Sequence, residues 1–171
     1  VTTKYFNAAN VDTNGIDIEI NYSIDTDLGL LNIGMRGTHI LKYEIPDASG
    51  GSKDVVGLFN HDNFARSLPE TKIILNADLI NNQHRFSLLG RYTSDYKTTR
   101  VLSSSAVELG YNQNIDEWLS IDSRYNYSFE FDENQMQFSL GIKNIFDEDA
   151  PQVYDAANFS YDPRQHDPRG R

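Results

Sequence analysis

The chain has 171 residues, no cysteine, a net charge of -10 and a pI near 4.7. Without cysteine there is no disulfide, thiolate nucleophile or thiolate metal site. The acidic balance argues against nucleic acid as a partner, because phosphate binding needs a basic stripe. No apolar run approaches the roughly 20 residues of a spanning helix, and the mean hydropathy is -0.55. Strands of a membrane barrel alternate lipid-facing and lumen-facing residues, so they average to polar and escape such a scan.

Six segments alternate with period 2, most of them over more residues than the usual 5 to 6 of a strand. In GIDIEINYSI, Ile16, Ile18, Ile20, Tyr22 and Ile24 share one face, with Asp17, Glu19, Asn21 and Ser23 opposite. After a turn at DTDLG, LLNIGMRGTHILKYEI sets Leu31, Ile33, Met35, Leu41 and Tyr43 against Asn32, Arg36, Thr38 and Lys42, with Ile40 breaking the rule. KIILNADLI starts at Lys72. Beyond Asn81-Asn82 comes QHRFSLLGRYTSDY, where Phe86, Leu88, Tyr92 and Tyr96 alternate with Arg85, Ser87, Arg91 and Asp95, Leu89 excepted. WLSIDSRYNYSFEF puts Leu119, Ile121, Tyr125, Tyr127, Phe129 and Phe131 on one face and Trp118 among the polar residues of the other. QMQFSLGIKNIF closes the series with Met136, Phe138, Leu140, Ile142 and Phe146, and the acidic run at 147 to 149 follows it.

The connections alternate as well. Tight turns are expected at 25 to 29, 81 to 82 and 132 to 135, and long polar stretches at 45 to 70, 98 to 115 and 147 to 171. Short turns at one edge and long loops at the other are the habit of transmembrane barrels. Matching apolar faces in the first hairpin sets Ile24 against Leu31 and Glu19 against Arg36, while a turn at Asn81-Asn82 sets Asp78 against Arg85. The same bookkeeping brings Lys72 near Arg91 and Arg124 near Lys143, two like-charge pairs that a water-filled lumen would screen. Six strands cannot close a membrane barrel, whose smallest members have about eight. The expectation is therefore an all-β chain, an antiparallel up-and-down transmembrane β-barrel present as an incomplete fragment of about six strands. It would have short periplasmic turns and long extracellular loops.

Several segments resemble the C-terminal part of the barrel of TonB-dependent outer-membrane receptors: NVDTNGIDIEINYSI with LNIGMRGTHILKYEI, SLPETKIILNADL, FSLLGRYTSDY, and above all FSLGIKNIFDEDAP followed by YDPRQHDPRGR. The resemblance spans residues 1–171. It implies that Asn144, Phe146 and Asp147 end the penultimate strand, and that His166, Asp167, Arg169, Gly170 and Arg171 lead into a final strand that the chain lacks. The plug domain and the segment engaging TonB would lie upstream of Val1. The resemblance further implies a Gram-negative outer membrane as location, with membrane lipid and lipopolysaccharide around the barrel. TonB would act through the plug to import a scarce nutrient such as an iron chelate, a cobalamin or an oligosaccharide. Phe146 would sit in the outer aromatic girdle, with Asp147, Glu148, Asp149 and Pro151 in the loop beyond it.

Ligand contacts are expected from aromatic residues in the loops: Phe59, Phe64, Tyr111, Tyr154, Phe159 and Tyr161, with His61 beside Asp62 and with Trp118 at the outer end of its strand. Adjacent His61 and Asp62 point apart, and no second histidine stands at a ligand spacing, so no metal is expected. The HDPRGR segment contains no nucleophile, and DTNG and DTDLG lack full calcium-loop spacing, so neither catalysis nor a cofactor is expected. His39 and His84 follow the apolar faces and read as structural. Other readings are a passive porin-like barrel and a soluble all-β binding module in which the apolar faces pack together.

Overall fold

The computed structural model describes residues 10–47, 50–61, 63–154 and 161–167. Its main sheet is built from β1 (Asp12–Thr26), β2 (Gly29–Pro46), β3 (Ser52–Asp54), β6 (Thr71–Asn81), β7 (His84–Thr93), β10 (Trp118–Phe131) and β11 (Asn134–Ile142). The order is β1-β2-β6-β7-β10-β11, every pair is antiparallel, and β3 adds to β2. A second, four-stranded sheet has the order β5-β4-β8-β9, from β4 (Leu58–Phe59), β5 (Ser67–Leu68), β8 (Tyr96–Thr98) and β9 (Asn114–Ile115). One short helix, α1 (Ser104–Glu108), is capped by the Ser103 hydroxyl, which accepts from the Ala106 amide. The chain is all-β with antiparallel main pairing. The sheet does not close into a barrel: β1 and β11 are edges with no partner among the described residues. Among those residues no helix is long and apolar enough to cross a membrane.

The registers align the alternating rows across all six long strands. Ile24 faces Leu31, Leu31 faces Leu79, Leu79 faces Phe86, Phe86 faces Tyr125 and Tyr125 faces Leu140. One face of the sheet is therefore continuously apolar, and it is open: Ile18, Ile20, Tyr22, Ile33, Leu75, Phe138 and Leu140 are all exposed. Isoleucine at every second position favours this pleated geometry, because a branched Cβ packs well against cross-strand neighbours. The opposite face carries a polar network. Arg36 pairs with Glu19 at 3.0 Å, Arg85 with Asp78 at 3.0 Å and Arg91 with Asp122 at 2.9 Å. Ser139 donates to Asn126 at 2.7 Å.

Two sequence irregularities have local causes. Ile40 keeps to the polar face by alternation with Arg36 and Thr38, lining a cleft with Leu68 and Pro69, and a β-bulge opposite Asn14 and Gly15 makes the next residue, Leu41, the extra one. Gly15 is required there, since a Cβ would stand 2.8 Å from the His39 carbonyl oxygen. Leu89 likewise lies on the polar face, opposite Asp122.

All three hairpin turns are tight and all three differ from expectation, the first narrowing to Asp27-Leu28 between the paired Thr26 and Gly29. The second loop is Asn82-Gln83, with Asn81 facing His84, so Asp78 faces Ser87 rather than Arg85. Arg85 still reaches Asp78 diagonally, and Ser87 donates to the same carboxylate. The third loop shrinks to Asp132-Glu133, whose φ values of 54° and 47° supply the left-handed pair that a type I′ turn demands. Neither suspected like-charge pair is face to face: Lys72 opposes Thr93, and Arg124 opposes Gly141. In the first hairpin Gly29 has φ of 123°, and a Cβ there would lie 2.2 Å from the Ile80 carbonyl oxygen.

The last strand also ends earlier than expected, at Ile142 instead of Phe146. Asn144 turns the chain with φ of 48°, its amide donating to Asp122 Oδ1 at 3.0 Å. Its buried side chain brackets Glu148, accepting from the amide at 3.1 Å and donating to the carbonyl at 2.9 Å. Asp147 has φ of 52° and donates its amide to the Asn144 carbonyl, while Phe146 is left exposed. The asparagine-to-aspartate stretch is thus a hydrogen-bonded turn after the ladder.

Candidate ligand-binding face

The long connections, expected as loops, fold into a small assembly at the end of the sheet away from the tight turns. Its core is Phe59, Tyr96, Ile115 and Val153. Asn60, fully buried, organises the first loop by donating to the carbonyls of Val55, Leu58 and Arg66. Such a side chain substitutes for the missing sheet ladder in satisfying buried backbone groups.

Segment 161–167 docks on this assembly and on the polar face of β10. Asp162, fully buried, accepts from the Tyr96 hydroxyl at 3.0 Å and from the Arg164 amide at 3.0 Å. Burial and the neighbouring Asp162 charge push the Tyr96 hydroxyl pKa up. Gln165 donates to the carbonyl and hydroxyl of Ser67, both at 3.1 Å. The His166 ring lies 6.1 Å from that of Tyr96 and 5.5 Å, edge-on, from Trp118. Burial pushes its pKa down to about 4, against the pull of Asp162 and with a small push from Lys72.

Both His166 ring nitrogens, Trp118 Nε1, Ser120 Oγ and Gln165 Oε1 are buried without a hydrogen-bond partner among the described residues. Buried polar atoms of this kind call for a further partner, ordered water being the usual one.

The expected contact residues separate into distinct environments. Phe59 is in the core, and His61 is half-buried, its amide donating to Thr99 Oγ1 at 3.0 Å. Phe64 is exposed. Tyr111 and Tyr154 come together with ring centroids 5.5 Å apart, and the Arg100 guanidinium sits 5.5 Å from the Tyr154 ring centroid. This half-exposed platform combines π faces with a cation, a surface suited to stacking a planar or sugar ring. Trp118 is buried under His166, and Tyr161 is half-buried at the start of the docked segment. Asp62, Phe159, Arg169, Gly170 and Arg171 lie outside the described residues.

Asn60, Tyr96, Arg100 and Asp162 were not singled out by the sequence. In sequence Tyr96 continues the alternation of Phe86 to Tyr92, but β7 ends at Thr93 and Tyr96 belongs to β8 of the small sheet, and no spacing links it to a residue 66 positions on. Among the described residues no three metal-ligating side chains cluster. No family model, no curated protein and no solved structure matches this chain.

Proposed function

We propose that this chain is the C-terminal part of the barrel of a TonB-dependent outer-membrane receptor, importing a scarce nutrient that binds the loop face. The observation that carries the reading is the two-sidedness of the six long strands of the main sheet. One face is apolar and open across every strand, and the other is an ion-paired polar wall. A lipid-facing and lumen-facing wall needs this division.

Ile16 to Ile24 span nine residues, about the length a tilted strand needs to cross the hydrocarbon. Tight turns would face the periplasm, and the folded loops the exterior. His84, Tyr125, Tyr127 and Phe129 cluster near the turn end, where an inner aromatic girdle would lie. The open edges of β1 and β11 would be closed by further strands of the barrel, since hydrocarbon leaves no partner for free backbone groups.

The test is to express the complete coding product and fractionate the cells. Recovery from outer membranes only with detergent, together with a plug-like domain upstream, supports the reading. A full-length protein in the soluble fraction would sink it, the apolar face then being a core that packs on another layer.

A further inference from the structure

We propose that a cleft on the polar face of β7, β10 and β11 binds a small polyanion bearing carboxylate or phosphate groups, held by Arg124 and Lys143. The cleft has a volume of about 540 Å³, within the range of small-molecule sites. Arg85, Arg124 and Lys143 line it against a single carboxylate, Asp122, in a chain whose net charge is -10.

The acids near this cleft are already engaged. Asp122 Oδ2 accepts from Arg91 at 2.9 Å and its Oδ1 from the Asn144 amide at 3.0 Å. Asp78 holds Arg85 and Ser87. Arg124 and Lys143 have no ion pair or hydrogen bond among the described residues, which sets them apart from Arg36, Arg85 and Arg91 on the same wall.

The ladder also leaves them room. Arg124 stands between Ser87 and Gly141, both small cross-strand neighbours, so its guanidinium has space for a ligand beside it. A guanidinium grips an oxyanion through two parallel donors, and an ammonium adds a point charge. Both groups are exposed, so binding costs little desolvation and weakens as salt rises. The inference needs only a wetted polar face, which holds whether the apolar face meets lipid or protein. Its failure is therefore separable from failure of the receptor reading.

Differential labelling of the purified full-length protein tests it, with citrate as the probe and ionic strength held constant with chloride. Phenylglyoxal reports on arginines and acetylation on lysines, each read by peptide mass spectrometry. Citrate should slow modification of Arg124 and Lys143 while leaving Arg66, Lys53 and Lys97 unchanged. Arg124→Gln should weaken protection of Lys143 about tenfold, the loss of one charge-assisted contact. Equal rates at all sites with and without citrate would overturn the proposal. So would an Arg124 that resists labelling before citrate is added, because protein would then fill the cleft.

Discussion

The Tyr96 hydroxyl donates to Asp162 Oδ2 at 3.0 Å inside the loop assembly, joining residues 66 positions apart. Both are buried, so this bond clamps the docked segment to the small sheet. Tyr96→Phe would leave the buried carboxylate one donor short, at a cost of about 1 to 3 kcal/mol. Limited proteolysis at Arg164 should speed up in Y96F while the main sheet keeps its protection. Unchanged cleavage would mean that the clamp contributes nothing.

His166 makes the same docking pH-sensitive. Its pKa in the fold is pushed down to about 4, below the ordinary value of 6.5, so the undocked segment binds more protons between these values. Docking is fully stable above about pH 6.5 and weakens as pH falls toward about 4. Protection factors of residues 161–167, with the intrinsic pH dependence of amide exchange divided out, should therefore fall over that window. In His166→Gln the fall should disappear, and its persistence would assign the effect to another group.

Asn144 supplies both a left-handed backbone and two hydrogen bonds to Glu148. Asn144→Gly keeps the backbone and loses the side-chain bonds, costing about 1 to 3 kcal/mol. Asn144→Val adds the strain of a branched residue at positive φ, a further 1 to 3 kcal/mol or so. Denaturant midpoints should rank wild type, Gly and then Val, and an equal midpoint for all three would remove the turn from the list of stabilising features.

Ile33 lies on the open apolar face, with Tyr22 and Ala77 as cross-strand neighbours. In a bilayer, Ile33→Arg should cost up to about 2 to 4 kcal/mol, the midplane value, and lower assembly into membranes. Gln137→Arg, on the polar face, should assemble as wild type. Equal assembly of the two variants would place water, not lipid, against Ile33.

The alternation of Ile16 to Ile24 and of Leu119 to Phe131 made the strands and their two faces legible in sequence, because a period of 2 maps directly onto opposite sides of a pleated sheet. Ile40, the break in its own pattern, proves to be the partner of Gly15 at a bulge that the pattern itself did not give. The opposition of Glu19 and Arg36 was equally readable, since apolar faces must coincide and a slip of one residue would invert them. Slips of two residues keep the faces, and so the Asn82-Gln83 turn shifted Asp78 from Arg85 to Ser87 without any warning in the pattern.

Only the tertiary structure decided the rest. The Tyr111, Tyr154 and Arg100 platform, the Tyr96 to Asp162 clamp and the burial of Phe59 depend on long connections whose residues have no periodicity. Their positions follow from which buried polar groups find partners, as Asn60 does, and that is a property of chain segments brought together from far apart in the sequence. Local periodicity thus wrote the wall of this protein, and non-local hydrogen bonding and packing wrote the face that a ligand would meet.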